Sequence, residues 1–356
     1  MLNNKPNIFE FATKELSQDA VFCYILDCFN CVEKRKIATK FLKLINFKYI
    51  DEIEKLEIKR QEDHSDVKAI VTLKDEAKKY IIIEDKVYSS LHDNQLKRYK
   101  DDTIERHSCT ENDITGVFFK IGKPLDWEEN TCIHAGFIIL DYNEFAKYLK
   151  EIADNDYILK TFSEFFQNRI SLCHEIDTMD FDTIDETLFD KTLQERYGQR
   201  KFAEWLLYQV FENTDYKYNK KKQYDVNNYG RPCTQYTFLF NESKYKNKHN
   251  DWNLTEDEFP TSTYNCFFRI DRNSKGWYIA VRQYFHDGAT EEETDMHDKM
   301  HDDILELLKI DKDHAPNTKA EKEKTLLLFN IHSIDDVKKL IPLFTKTVNY
   351  LFEINK

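Results

Sequence analysis

Helical and strand periodicities alternate along the first third of the chain. Residues 9–30 carry apolar side chains at three- and four-residue steps, which predicts a helix with a polar first turn, and residues 34–47 predict a second helix. Residues 49–63 alternate as an exposed or edge strand does, and residues 64–73 predict a second strand. The turn at residues 73–79 joins this strand, as a hairpin, to a third.

The next segment continues the alternation. Residues 87–107 have helical spacing, residues 114–122 and 134–141 are short apolar strands, and residues 142–152 and 158–172 predict two more helices. A mixed sheet flanked by helices is the economical packing for this order of elements. The expected fold class is therefore α/β, with the sheet and its helices within residues 1–176.

The second half of the chain predicts an accessory domain. Residues 177–190 are strongly acidic with few apolar positions, and we interpret them as a linker. Beyond it, a helix at 193–213, a hairpin around the turn at 271–276 and helical C-terminal segments predict an α+β domain over residues 191–356. This domain would recognise substrate or act as a sensor.

Composition narrows the class of protein only in part. No apolar run approaches the roughly 20 residues that a membrane span needs, and the N-terminus lacks the order of a signal peptide, so we expect a cytoplasmic protein without membrane contact. The net charge of −13 argues against broad nucleic-acid affinity. However, residues 191–250 hold twelve Lys or Arg against six Asp or Glu, and an acidic protein can carry a basic groove.

Candidate chemistry lies at the end of the third strand. The apolar run there ends in Glu84, Asp85 and Lys86. Because side chains alternate along a strand, Glu84 and Lys86 share one face and Asp85 takes the other. Taken alone, such a strand end more often runs out into solvent. Asp66, at the start of the preceding strand, changes the balance, since two carboxylates suffice for Mg²⁺ and a nearby lysine can orient or deprotonate water.

These residues resemble the PD-(D/E)XK nuclease superfamily, with its restriction-endonuclease-like core, over about residues 9–150. Asp66 stands where that family has its first metal-binding Asp, although Ser65 replaces the name-giving proline. Glu84 and Lys86 match (D/E)XK, and Glu15 matches the acidic residue that many members place on the first helix. The resemblance implies metal ligation by Asp66, Glu84 and Glu15, with Mg²⁺ or Mn²⁺ as cofactor. It makes all three, with Lys86, candidate catalytic residues.

Two further features concern substrate binding. Gln95 and Tyr99, four residues apart on one helical face, resemble the Q-xxx-Y feature of the RecB-like branch, although simple packing is an equal alternative. A basic, tyrosine-rich tract could grip a phosphate backbone, or could be a solvated loop. Its basic residues are Lys220, Lys221, Lys222 and Arg231.

The expected function is hydrolysis of nucleic-acid phosphodiesters. The resemblance to the superfamily favours DNA over RNA as the substrate. A role as an endonuclease in bacterial or phage defence is expected by analogy only. Two alternatives stay open: a catalytically silent binding or sensor module, and an effector that a ligand or partner activates at the C-terminal domain. A homodimer also stays open.

Overall fold

The computed structural model describes residues 7–10, 14–61, 65–87, 91, 94–214, 225–227, 234–239, 265–285, 288–311 and 323–354. It divides into two compact units, Met1–Glu175 and Ile176–Lys356. No helix in these ranges is long and apolar enough to cross a membrane.

The first unit is built on a five-stranded mixed sheet in the order β1-β2-β3-β4-β5. Strands β1 to β3 are antiparallel neighbours, whereas β3 to β5 run parallel. The predicted mixed sheet, the hairpin between the second and third strands and the edge position of the first strand are therefore confirmed. The strands are β1 (Ile53–Arg60), β2 (Val67–Leu73), β3 (Lys78–Lys86), β4 (Ile114–Lys120) and β5 (Phe137–Leu140).

Helices cover both faces of this sheet because both faces are apolar. On one face, an aromatic cluster joins α1 to β4 and to later helices, with the ring of Phe119 5.3 Å from Phe22 and 5.0 Å from Phe145. On the other face, Leu96 and Tyr99 of α3 pack in one core cluster with Ile82. The helices are α1 (Lys14–Asp27), α2 (Arg35–Leu44), α3 (Gln95–His107), α4 (Asp126–Ala135), α5 (Tyr142–Ile152) and α6 (Tyr157–Asp177).

The second unit contains an antiparallel sheet in the order β10-β9-β8-β7-β6. Its apolar face packs on helices, as the 5.2 Å separation of the Phe268 and Phe344 rings shows. The predicted α+β character and the hairpin at 271–276 are confirmed. The elements are α7 (Glu186–Gln194), α8 (Arg196–Glu212), β6 (Asp225–Asn227), β7 (Thr234–Leu239), β8 (Asn265–Asn273), β9 (Gly276–Tyr284), α9 (Glu291–Leu308), β10 (Glu323–Ile331) and α10 (Ile334–Ile354).

Three expectations need correction. Residues 177–190 are not a bare linker, because Phe181 and Ile184 are buried and α7 begins at Glu186. Helix α4 and strand β10 were not predicted. In α4 the few apolar residues, among them Cys132 and Ile133, give no clear helical stripe. Strand β10 lies between the two C-terminal segments that are predicted as helical, and it pairs with β9.

Candidate active site

The start of β2 and the end of β3 meet because the two strands are antiparallel neighbours. Val67 pairs with Ile83, so the residues just outside this pair, Asp66 and Glu84, are adjacent. The Asp66 carboxylate is fixed there, since its Oδ2 accepts a hydrogen bond from the backbone N–H of Asp85 at 2.8 Å. Two predicted metal ligands, 18 residues apart in sequence, therefore lie side by side where β2 begins and β3 ends.

The predicted alternation along the end of β3 is confirmed. Lys86 and Glu84 form an ion pair through Glu84 Oε1, so both side chains share one face. Asp85 points to the other face, where its Oδ1 accepts a hydrogen bond from Gln18 Nε2 of α1 at 3.2 Å. All three residues of the motif are buried. The apolar run of β3 thus ends in a charged cluster inside the protein and not in solvent.

Helix α3 adds Gln95 and Tyr99 to the same face. The connection from β3 through α3 to the parallel strand β4 is a crossover, which lays the helix against the sheet. Gln95 Nε2 donates to Glu84 Oε1 at 2.6 Å and to the Tyr99 hydroxyl at 2.5 Å. Both side chains are buried. Simple packing is thereby insufficient as a description, because Gln95 directly contacts a candidate metal ligand.

Burial and charge give this cluster unusual electrostatics. Burial raises the pKa of Glu84 from 4.5 to about 8, with Lys86 opposing the shift and the charge of Asp66 adding to it. Burial lowers the pKa of Lys86, but the charges of Glu84 and Asp66 outweigh it and hold the pKa above its usual value. Burial and the charge of Glu84 raise the pKa of Tyr99 to about 12. Lys86 therefore carries a firm positive charge beside the carboxyl groups of Glu84 and Asp66.

A divalent metal fits this pair of carboxylates. Glu84 Oε1 is occupied by Lys86 and Gln95, whereas Oε2 is buried and has no hydrogen-bond partner among the described residues. A buried carboxylate oxygen without a partner is energetically unfavourable, and a cation is its natural complement. No group of three or more His, Cys, Asp or Glu with metal-binding geometry occurs in the described ranges. Mg²⁺ does not need one, since it usually keeps several waters and takes one or two carboxylates.

Several predicted residues are not located by the structure. Glu15 belongs to α1, whose Gln18 contacts Asp85, but its side chain is not among those described. Lys220, Lys221, Lys222 and Arg231 lie outside the described residues. His297 and His301 lie four residues apart on α9, a spacing that could suit a metal, but each ring has another partner. His297 is buried against Gln283, and His301 Nδ1 lies 2.9 Å from the carbonyl oxygen of Leu326.

Two charged residues beside the site were missed. Lys120 ends β4 in register with Lys86, and its Nζ lies 2.7 Å from each carboxylate oxygen of Glu128 on α4. Both residues are buried. The signal was present at Lys120, because β4 is an apolar run with a charged end, as β3 is. Glu128 had no such signal, since its importance depends on contacts with distant residues.

Comparison with known families agrees with this geometry. The sequence model of the PD-(D/E)XK nuclease superfamily matches residues 6–185, which include the whole first sheet and the residues assembled at its edge. The mixed sheet with flanking helices is consistent with the restriction-endonuclease-like fold of that family. Searches of curated proteins and of solved structures found no significant match.

Proposed function

Because the chain belongs to the PD-(D/E)XK nuclease superfamily, we propose that it hydrolyses nucleic-acid phosphodiesters with the help of a divalent metal. The observation that carries the proposal is the meeting of Asp66, Glu84, Lys86 and Gln95 at one end of β3. We propose Mg²⁺ or Mn²⁺ as the cofactor and DNA in preference to RNA as the substrate. Cleavage of invading nucleic acid in defence would be one use of this activity.

Asp66 and Glu84 are the residues that would hold the cation. Asp66 is oriented by the Asp85 N–H, and Glu84 by Gln95 and Lys86, which leaves Glu84 Oε2 for the ligand. When bound, the cation would supply positive charge beside the scissile phosphate and stabilise the charge that develops during hydrolysis. Glu15 would be a third acidic ligand, donated by α1.

Lys86 would hold the phosphate or the attacking water. Its raised pKa keeps the amine protonated at neutral pH, so it would act as a hydrogen-bond donor and a charge. In the reaction, a water oxygen bonds to phosphorus as one ester P–O bond breaks, the water releases one proton to solvent, and the departing oxygen takes up a proton. The products are a phosphomonoester and a hydroxyl group.

Gln95 and Tyr99 would set the geometry of Glu84 and contact the substrate strand. The Gln95 amide bridges Glu84 Oε1 and the Tyr99 hydroxyl, so it fixes which carboxylate oxygen remains for the metal. Such supporting contacts orient the ligands that touch a metal. We assign these two residues a positioning role first and a substrate-binding role second.

The second unit, Ile176–Lys356, would recognise substrate or sense an activator. The basic tract with Lys220, Lys221, Lys222 and Arg231 is the proposed contact with the phosphate backbone. A protein that binds Mn²⁺ but cuts only after a nucleotide or lysate is added would be an activated effector. A protein that binds neither metal nor nucleic acid would be a silent scaffold.

The test is a cleavage panel with purified wild-type protein and the Lys86→Ala variant. The substrates are end-labelled single- and double-stranded DNA and RNA, each with Mg²⁺ or Mn²⁺, together with circular DNA that only an endonuclease can open. Metal-dependent cleavage by the wild type and not by Lys86→Ala supports the proposal. Equal cleavage by both proteins refutes the proposed site.

A further inference from the structure

A second buried charge cluster lies beside the proposed active site and has no role in the proposed chemistry. Lys120 and Glu128 form an ion pair with side chains only 4% and 0% exposed, respectively. Lys120 pairs in register with Lys86 of the neighbouring strand. The Lys120–Glu128 ion pair therefore lies at the end of β4 that is next to the Glu84 end of β3. A buried ion pair of this kind is not a strong source of stability, because desolvation offsets most of its attraction.

The hydrogen bonds of Glu128 connect three segments of the chain: the N-terminus of α4, the end of β4 and the connection before α3. Besides Lys120 at the end of β4, its Oε2 accepts the backbone N–H of Leu125 at 2.8 Å, and its Oε1 accepts the backbone N–H of Leu91 at 3.3 Å. The Leu125 contact is ordinary, since an acidic residue in the first turn of a helix often caps the preceding N–H. The Leu91 contact is not local, because it lies 37 residues away in sequence.

Leu91 links this cluster to the active site. It lies in the connection between β3 and α3, four residues before Gln95, and its side chain belongs to the same apolar cluster as Leu96 and Tyr99. Gln95 in turn donates to Glu84 Oε1. Glu128 is therefore linked to the proposed metal ligand through Leu91, the apolar cluster that Leu91 shares with Tyr99, and the hydrogen bonds of Gln95 to Tyr99 and Glu84.

We propose that Glu128, held in place by Lys120, is a positioning residue for the nuclease site. It fixes the chain before α3 so that Gln95 meets Glu84 in the geometry that leaves Glu84 Oε2 for the cation. This inference rests on the proposed function. It gives the buried charges a purpose, because the two oxygens of Glu128 bind two backbone N–H groups and the Lys120 ammonium at the end of β4 together.

The test compares two double substitutions, each of which removes one ion pair beside β3 and β4. Lys120→Met with Glu128→Leu removes both charges, so neither is left buried alone. Lys79→Met with Asp113→Leu is the matched control, because Lys79 and Asp113 form an ion pair at the opposite end of β3 and β4, 2.6 Å apart. Each protein is measured by hydrogen–deuterium exchange of the peptide spanning Leu91 to Arg98, by Mn²⁺ titration and by cleavage rate.

We expect faster exchange in this peptide for the Lys120/Glu128 variant alone, with Mn²⁺ affinity at least about tenfold weaker. Raised Mn²⁺ should restore part of the cleavage rate, because the defect lies in ligand geometry. Unchanged exchange, or Mn²⁺ affinity equal to that of the control, would overturn the inference.

Two precautions keep the result decisive. If the first variant does not fold, Lys120→Met with Glu128→Gln retains one side-chain acceptor and should show the same changes at smaller size. If wild-type protein neither binds Mn²⁺ nor cuts any substrate, the proposed function fails. The exchange measurement then still decides whether Glu128 holds the chain before α3.

Discussion

Strands β3 and β4 carry charged residues at both ends, and the two ends differ in kind. At the entry end, where both strands begin, Lys79 and Asp113 form an ion pair with side chains 16% and 22% exposed. Asp113 also accepts a hydrogen bond from the backbone N–H of Thr110. At the exit end, Glu84 and Lys86 are at most 9% exposed, and Glu84 Oε2 has no partner among the described residues. The carboxylate at the entry end has its hydrogen-bond partners without a ligand, whereas Glu84 at the exit end keeps one oxygen for a ligand.

This difference separates stabilising charges from functional ones better than the residue types do. Both ends pair a lysine of β3 with a carboxylate, which is Glu84 of β3 at the exit end and Asp113, just before β4, at the entry end. At the exit end burial dominates and raises the pKa of Glu84, whereas at the entry end the hydrogen bond from Lys79 outweighs burial and lowers the pKa of Asp113 to about 2. A buried carboxyl group with a raised pKa indicates a site that binds a ligand.

The largest expected effect is on cleavage. Lys86→Ala should lower the cleavage rate by about 10² to 10³ or more, because one preorganised charge at the scissile phosphate is lost. Lys79→Ala, at the entry end, should leave the rate unchanged. Initial rates on the preferred substrate measure both, and thermal unfolding shows whether each variant is folded. Comparable rate losses in the two variants would remove the distinction between the ends.

The second effect is stabilisation by metal. Mn²⁺ at about 100 times its dissociation constant should raise the free energy of unfolding by about 2.7 kcal/mol, since it binds the folded state alone. Asp66→Asn should abolish this gain, because it removes the charge of one proposed ligand. Asp113→Asn should retain the gain in full. Thermal unfolding with and without Mn²⁺ provides the measurement, and a full gain in Asp66→Asn would exclude Asp66 as a ligand.

The third effect concerns the residues that hold Glu84. Gln95→Leu should weaken Mn²⁺ binding or cleavage by about 10- to 100-fold, as is typical when a group orienting a metal ligand is removed. Thr103→Val is the matched control on α3, because Thr103 is also buried and its hydroxyl donates to the Tyr99 carbonyl oxygen. Calorimetric Mn²⁺ titration compares the variants, and equal affinities would reduce Gln95 to a packing residue.

Sequence periodicity predicted the part of the site that depends on neighbours along the chain. The apolar run ending in Glu84 and Lys86, and the four-residue spacing of Gln95 and Tyr99, are local patterns that a strand and a helix determine directly. The adjacency of Asp66 and Glu84 follows directly from the predicted hairpin between β2 and β3. Periodicity could not reveal that the charged end of β3 is buried, because burial depends on helices that arrive later in the chain.

The elements that were missed are those with weak local signals. Helix α4 has no apolar stripe, so it was overlooked, and Glu128 with it. The role inferred for Glu128 depends on Lys120 and Leu91, which are 8 and 37 residues away. Strand β10 is recognisable mainly through its pairing with β9. Contacts between distant residues therefore decide what single-sequence patterns leave open.

The smallest expected effect is the stability that the entry end contributes. The pKa of Asp113 is lowered from 3.8 to about 2, first by the hydrogen bond from Lys79 and then by Thr110. A lowered carboxylate pKa stabilises the folded state at pH values above 3.8, and this contribution is lost as the pH falls through 2. Asp113→Asn should therefore lower the free energy of unfolding by about 1 kcal/mol at neutral pH, a value reduced for the partial exposure of the pair.

The pH dependence of this difference is what separates it from a packing defect. Chemical denaturation of wild type and Asp113→Asn between pH 7 and pH 2 should give stability curves that converge at the acidic end, because the wild-type carboxylate then becomes neutral. High salt should also narrow the gap at neutral pH, since the pair is partly exposed. A gap that persists unchanged at pH 2 would mean that Asp113 acts through its shape and not its charge. The entry end would then no longer be an electrostatic counterpart to the exit end.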